Sequence, residues 1–144
     1  MKTVRQVLDG KGDRVHTIDP DAPVFEALQK MSDENVGALV VIEHGEVAGL
    51  LSERDYARKV ILQAKSSKET PVRDIMSRHV VCVDARQRMD ACMGLMTEKR
   101  VRHLPVLENE GLVGLISIGD VVKAIIEDQQ FAIEQLEHYI RGTP

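Results

Sequence analysis

Two stretches of this chain carry the same chemically useful groups at the same spacing: "GLLSERD" from Gly49 to Asp55 and "GLISIGD" from Gly114 to Asp120. In each, a glycine and two large aliphatics lead into a serine, and an aspartate follows three residues later. Ser52 with Asp55, and Ser117 with Asp120, suit a capping box, in which hydroxyl and carboxylate satisfy orphan amides in a helix's first turn. The same atoms suit a polar ligand. A carboxylate can accept from two vicinal hydroxyls in charge-assisted bonds, and helix-start amides beside a serine receive an anion favourably. Taken alone, the motif favours capping.

The elements that must position these residues are legible as a repeat. At an offset of 65, residues 15–61 align with 80–126 without a gap, and 12 of the 47 pairs are identical, including Glu43/Glu108, Gly49/Gly114, Ser52/Ser117 and Asp55/Asp120. Upstream, "VRQVL" at Val4 answers "VRDIM" at Val72, with three extra residues in the first linker, "DGKGDR". A unit of this length in two copies points to a paired globular module rather than an open solenoid. Within a unit, "VHTI" and "VVCV" read as short strands. Val24, Leu28 and Met31, matched by Met89, Met93 and Met96, fall at helical spacing, with Pro23 in the first turn. "ALVVI" to "VAGLL" and "HLPVL" to "LVGLI" read as β-hairpins across four-residue polar stretches. Pro105 has no N–H to donate and assigns its position to an edge or a bulge. "SERDYARKVILQA" and "SIGDVVKAIIEDQ" read as helices opening on the serines.

Each unit is therefore strand, helix, strand, strand, helix, an α/β (α+β) fold. Neither unit alone covers its apolar sheet face, so two packed sheet to sheet would share one core. The division expected is 1–65 for the first repeat with its linker, 66–126 for the second, and 127–144 for a helical tail. Phe131, Ile133, Leu136, Tyr139 and Ile140 give that tail a partly apolar face, suited to docking on its own domain or on another subunit.

Composition bounds the function. A formal net charge of -4 and a pI near 5.7 provide no broad positive field, and four scattered aromatics make no stacking platform, which argues against nucleic acid. The N-terminus lacks a signal-peptide apolar run and no segment approaches the roughly 20 apolar residues of a membrane span, so the expectation is a cytoplasmic protein without membrane contact. Cys82 and Cys92 fit neither a disulfide framework nor a C-x-x-C motif. The five histidines show no zinc-ligand spacing with them, so no metal is expected. Cys92 and most methionines read as core. No nucleophile has an identifiable base nearby, which argues against an enzyme.

The order of elements, the duplication, both aspartates and the "VRHLPVL" strand together resemble the CBS domain family, named after cystathionine β-synthase, over nearly the whole chain. A tandem pair is called a Bateman module, and segments like "SERDYARK" resemble those of a stand-alone bacterial type. The resemblance implies two repeats related by a pseudo-two-fold axis, with two clefts that bind adenosine-containing ligands such as AMP, ADP, ATP, NAD or S-adenosylmethionine. It implies that Asp55 and Asp120 hold ribose and that Ser52 and Ser117 lie close to phosphate. The purine would lie against strand starts of the opposite repeat, so that Lys11, His16, Val36, Gly37 and Ala38 serve Asp120, while Val81, Cys82, Val101, Arg102 and His103 serve Asp55.

Individual residues sharpen this expectation. Arg102 occupies the family position that often contacts phosphate, and guanidinium geometry suits bidentate phosphate recognition; His103 is its neighbour. Lys99 and Arg100 read as a solvated helix end. Arg54 is placed either to reach phosphate or to pair locally with Glu53 or Asp55. Gly119 carries a helix-propensity cost that points to a need for space, which with Arg102 favours the Asp120 cleft as the tighter. Cys82 would line the Asp55 cleft, or be a small buried apolar residue. The function expected is a regulatory module that senses an adenine nucleotide or NAD and transmits occupancy through a homodimer to an unidentified protein target. The alternatives are a structural or protein-interaction dimer with non-functional clefts and, further off, a relative of inosine monophosphate dehydrogenase, in which such pairs also occur.

Overall fold

The computed structural model describes residues 1–12 and 15–142; Asp13 and Arg14 of the first linker and Thr143 and Pro144 of the tail lie outside the described residues. The fold is mixed α/β with two three-stranded sheets and five α-helices among the described residues. It divides into two compact units that are not contiguous in sequence. One unit is Arg14–Val80; the other joins Met1–Asp13 to Val81–Pro144. The segment before each repeat thus belongs with the other repeat, a departure from the linear division at residue 65.

In the Arg14–Val80 unit, β1 (Thr17–Ile18) runs parallel to β2 (Ala38–Glu43), which pairs antiparallel with β3 (Glu46–Ser52). Helix α2 (Val24–Glu34) buries Val24, Ala27 and Met31 against this sheet. Its start is Pro23, which lies one residue before the helix as its cap. In the other unit, α1 (Val4–Lys11) joins β4 (Val83–Asp84), α4 (Met89–Lys99), β5 (His103–Glu108), β6 (Gly111–Ser117) and the long α5 (Ile118–Arg141). Its core includes Val4, Leu8, Met89, Cys92, Met96, Leu104, Val106, Ile116, Val121 and Ala124. Cys92 is fully buried, and burial pushes its thiol up to about 11. Met93, expected inside, is 41% exposed. The buried stripe steps from Met89 through Cys92 to Met96, a 3-4 spacing that turns Met93 outward.

Why the two motifs begin with glycine follows from the exchanged segments. A Cβ on Gly114 would lie 2.6 Å from the Leu8 methyls, and one on Gly49 would lie 2.7 Å from the Ser77 carbonyl oxygen and 2.9 Å from the Met76 sulfur. Leu8 and Met76 are the matching residues of "VRQVL" and "VRDIM". Each exchanged segment is fixed by the same bonds: Val4 N–H donates to the Gln87 carbonyl (2.8 Å) and Val72 N–H to that of Ala22 (2.8 Å). Each is also clamped by arginine, Arg5 on Glu108 at 2.7 Å and Arg73 on Glu43. The repeated glutamates are thus anchors for the segments that cover their strands.

The repeats differ where proline intervenes. Val40 N–H donates to the His16 carbonyl (3.1 Å), and β1 pairs at Thr17↔Val40 and Ile18↔Val41. Its counterpart Pro105 has no donor, so β4 engages one residue later, at Val83↔Val106 and Asp84↔Leu107. Pro105 still sits in the middle strand, paired with Leu115, but at a height where β4 does not reach it. Both hairpins close with two residues at positive φ, His44–Gly45 and Asn109–Glu110, as a type I′ turn requires.

Two outcomes are expected in urea unfolding. Gly114→Ala should cost about 1–3 kcal/mol by overpacking, and less when combined with Leu8→Ala, which removes the clashing methyls. Glu110→Gly should stabilise by about 1 kcal/mol, because it removes the left-handed penalty of a side chain at φ 66°.

Candidate functional site

The serine of each motif ends a strand and caps the next helix. Ser52 N–H donates to Asp55 Oδ2 (3.0 Å), and Asp55 N–H donates back to Ser52 Oγ (3.2 Å). Ser117 N–H donates to Asp120 Oδ2 (2.9 Å), and Asp120 N–H to Ser117 Oγ (3.2 Å). Both capping boxes are therefore complete. The first helical N–H in each case is taken by a carbonyl from the start of the neighbouring strand: Glu53 to Gly37 (3.1 Å) and Ile118 to Arg102 (2.9 Å). This bond holds helix start and strand start together.

A lysine ammonium lies on each aspartate, delivered from different places. Lys59, four residues along the same helical segment, reaches Asp55 Oδ1 (3.3 Å) and the Ile75 carbonyl (3.0 Å). Lys11, from the exchanged helix α1, reaches Asp120 Oδ2 (2.7 Å) and the Leu115 carbonyl (3.1 Å). Lys59 is a site residue the sequence reading passed over; its signal was the i,i+4 spacing from Asp55. Both of Asp120's donors, Ser117 N–H and Lys11, converge on Oδ2; among the described residues Oδ1 accepts from neither.

The segment after Ser52 is not the continuous helix its sequence suggests. One turn, α3 (Glu53–Tyr56), gives way to a π-helical turn, Ala57–Ile61, marked by Leu62 N–H donating to the Ala57 carbonyl (3.1 Å). The 66–76 stretch folds back over it: Ser67 Oγ donates to Tyr56 Oη (3.1 Å) and Lys59 holds Ile75.

The other candidates sort by unit. Around Asp120 the structure gathers Ser117, Gly119, Lys11, Arg102 and His103; His103 lies opposite Ser117 across the β5–β6 ladder, and Arg102 is exposed. A Cβ on Gly119 would meet only Ser117 Oγ at 3.6 Å, so the unit's own packing does not demand that glycine. Around Asp55 lie Ser52, exposed Arg54, Gly37 and Ala38, the last paired with Ser52. Val36 and Gly37 line a cavity of about 680 Å³ with Leu28, Met31, Glu53 and Tyr56. His16 Nε2 is 3.7 Å from Glu34, and its carbonyl accepts from Val40 N–H in β2. Val81 packs on the core of its own unit, and Cys82 is exposed rather than buried, because Val83 takes the inward position. The combinations implied by resemblance, such as Asp55 with Val81, Cys82 and Val101, draw on both units; within a unit, each helix start adjoins its own repeat's strand start.

The two first turns differ in charge. "SERD" places Glu53 and Asp55 beside Arg54 and Lys59, whereas "SIGD" has one acid, Asp120, with Lys11 on it and Arg102 lending its carbonyl to the first helical amide. The α5 start is the better place for an anion. Among the described residues no group of His, Cys, Asp and Glu is placed to hold a metal ion, and no helix is long and apolar enough to cross a membrane.

A model of the CBS domain matches residues 5–62 and 72–127. The chain belongs to the CBS domain family. The CBS domain-containing protein CBSX3, mitochondrial, of Arabidopsis thaliana is 42% identical over 127 residues, which cover 85% of this chain and 62% of the plant protein, so the chain spans less than two thirds of that relative. A solved protein with CBS domains from Burkholderia ambifaria is 47% identical with a TM-score of 0.83, covering 89% of this chain and 96% of that one. The CBS domain pair of protein MJ0100, solved in complex with 5′-methylthioadenosine and S-adenosylmethionine, shares the fold at 21% identity and a TM-score of 0.76, covering 86% of this chain and 99% of that one. CBS pairs are regulatory modules.

With both boxes closed by protein groups alone, Ser117→Ala should lower stability by about 1 kcal/mol in ligand-free protein, the ordinary cost of losing an N-cap. Chemical denaturation measures it, and Ser52→Ala serves as the comparison.

Proposed function

We propose that this protein is a regulatory ligand-binding module that senses an adenosine-containing nucleotide, AMP, ADP, ATP or NAD, at the helix starts of its two CBS repeats. The observation that carries the reading is the grouping at the start of α5: an aspartate with one oxygen outside the capping box, a lysine ammonium on the other, helix-start amides and Arg102. Ribose hydroxyls would donate to Asp120 Oδ1, and phosphate would take Lys11, Arg102 and the amide end of α5. His103, Ser117 and Gly119 border the same place, and Gly119 leaves room for a ligand to approach the helix. The Asp55 start, with Ser52, Arg54, Val36, Gly37, Ala38 and Lys59, would form the second, weaker site; His16, Val81 and Cys82 would extend the pair towards the purine. The adenosine compounds bound by the MJ0100 pair support this ligand class. No metal enters the proposal, nor does a reaction: the ligand acts by favouring one arrangement of the protein over another. Helix α5 begins at the ligand site and runs 24 residues, so it is the natural element to carry occupancy to a dimer surface and a protein target.

A second reading is favoured by one observation, the completeness of both capping boxes without any ligand. In it the serines and aspartates only cap helices, and the module is a structural or protein-interaction dimer.

Thermal unfolding with AMP, ADP, ATP, NAD, S-adenosylmethionine and GMP separates the two. A ligand bound only to folded protein raises the midpoint by an amount set by its concentration over Kd. The sensor reading expects a rise with one or more adenosine compounds but not GMP, lost in Asp120→Ala and largely kept in Asp55→Ala. If nothing shifts the wild type at millimolar ligand, while both variants simply melt earlier, the capping reading stands.

A further inference from the structure

Helix α5 carries an apolar face whose partner the nucleotide reading does not name. Its inner face is spent within its own unit: Val121 and Ala124 are buried, and Glu127 pairs with Lys2 beside α1. On another face, Val122, Ile126, Gln129, Ile133, Leu136 and Ile140 follow one another at steps of 4, 3, 4, 3 and 4. That is the a/d seam of a coiled coil, with isoleucine at every a position (126, 133, 140) and Val122, Gln129 and Leu136 at d. The seam is bare: Val122 is 43% exposed, Ile126 58%, Ile133 50%, Leu136 61% and Ile140 80%. Such a run of aliphatics along one helix is far beyond the scattered apolar residues an ordinary surface shows.

We infer that this face is the seam of an antiparallel helix pair formed with the α5 of a second copy of the chain. Self-complementarity selects the occupant. Laid antiparallel about a two-fold axis near residue 131, the seam matches itself at every layer: Val122 meets Ile140 of the second copy, Ile126 meets Leu136, and Gln129 meets Ile133. The flanking e positions then bring Lys123 against Glu137 of the second copy, twice by symmetry, which are opposite charges at the places where they set partner choice and orientation. At the g positions Tyr139, 85% exposed in the single chain, comes beside Ile125, which also packs on the core of its own unit, and Ala132 meets its own copy at the axis, where a small side chain allows close approach. A parallel pair has no such match, since Ile118 would face Lys123, Ile125 would face Gln130, and Ala132 would face Glu137. The polar Gln129 in the seam lowers stability while restricting alternatives, so the association is reversible and concentration-dependent.

Sedimentation of the full chain over a concentration series, with far-UV circular dichroism as the folding control, tests this. The expected wild-type particle approaches twice the 16.1 kDa chain mass. Ile133→Glu and, independently, Ile140→Glu should raise the dissociation constant by at least about tenfold, because each would bury an unpaired carboxylate in the seam. Lys123→Glu should weaken the dimer, and Lys123→Glu with Glu137→Lys should restore it. A chain that stays monomeric throughout, or an assembly unchanged in both seam variants, overturns the inference. A dimer that the seam variants dissociate but the charge exchange fails to restore overturns the antiparallel pairing. None of these readouts involves nucleotide, so failure here and failure of the sensing proposal are distinguishable.

Discussion

The structure depends on two positions where a Cβ would collide with the segment that covers it. Gly114 lies under Leu8 and Gly49 under Met76 and Ser77, at approaches below 3 Å for any side chain. Those contacts let a short segment lie flat on the last strand of each sheet, and close packing makes such a fit specific. From there the geometry propagates along the strand. Three residues after each glycine the chain reaches the serine that ends the strand and caps the helix, so the glycine that seats the covering segment also helps set where the candidate ligand groups stand. The arginine clamps on Glu43 and Glu108 hold the same segments from the other side, with Arg73 keeping the Glu43 carboxyl below the usual range.

Duplication has produced related but unequal halves. Proline at 105 makes the ladder of the first strand start one residue later, in unchanged register. A lysine reaches Asp55 from its own helical segment and Asp120 from an exchanged helix. The helix after Ser52 breaks into a π-helical turn beneath a returning loop, whereas the helix after Ser117 runs uninterrupted to Arg141. The first half is thereby closed over by its own linker. The second half keeps a long helix with one end at the candidate site and a bare apolar seam beyond it.

Much of this was legible before any coordinates. The periodicities of 2 and 3.6 marked strands and helices in order, since burying one face of each element is what the pattern encodes. The repeat marked which residues are equivalent, and the serine–aspartate spacing marked both caps. What was not legible depended on partners distant in sequence. Glu43 and Glu108 stood out as an identity without a role, because their arginines lie 30 and 103 residues away. Lys59 looked like an ordinary surface charge until the fold brought it to Asp55, and only the family resemblance tied Lys11 to Asp120. Met93 and Cys92 are adjacent, and only packing decides which one turns inward.

The sequence by itself therefore determined the inventory: two strand-helix-strand-strand-helix units, their caps and their hairpins, all written in interactions spanning a few residues. The tertiary structure alone decided which covering segment completes which sheet. Local chemistry cannot distinguish the two assignments, because "VRQVL" and "VRDIM" offer nearly the same arginine and the same apolar knob to nearly the same glycine. Chain geometry and packing break that tie, and they exchange the segments.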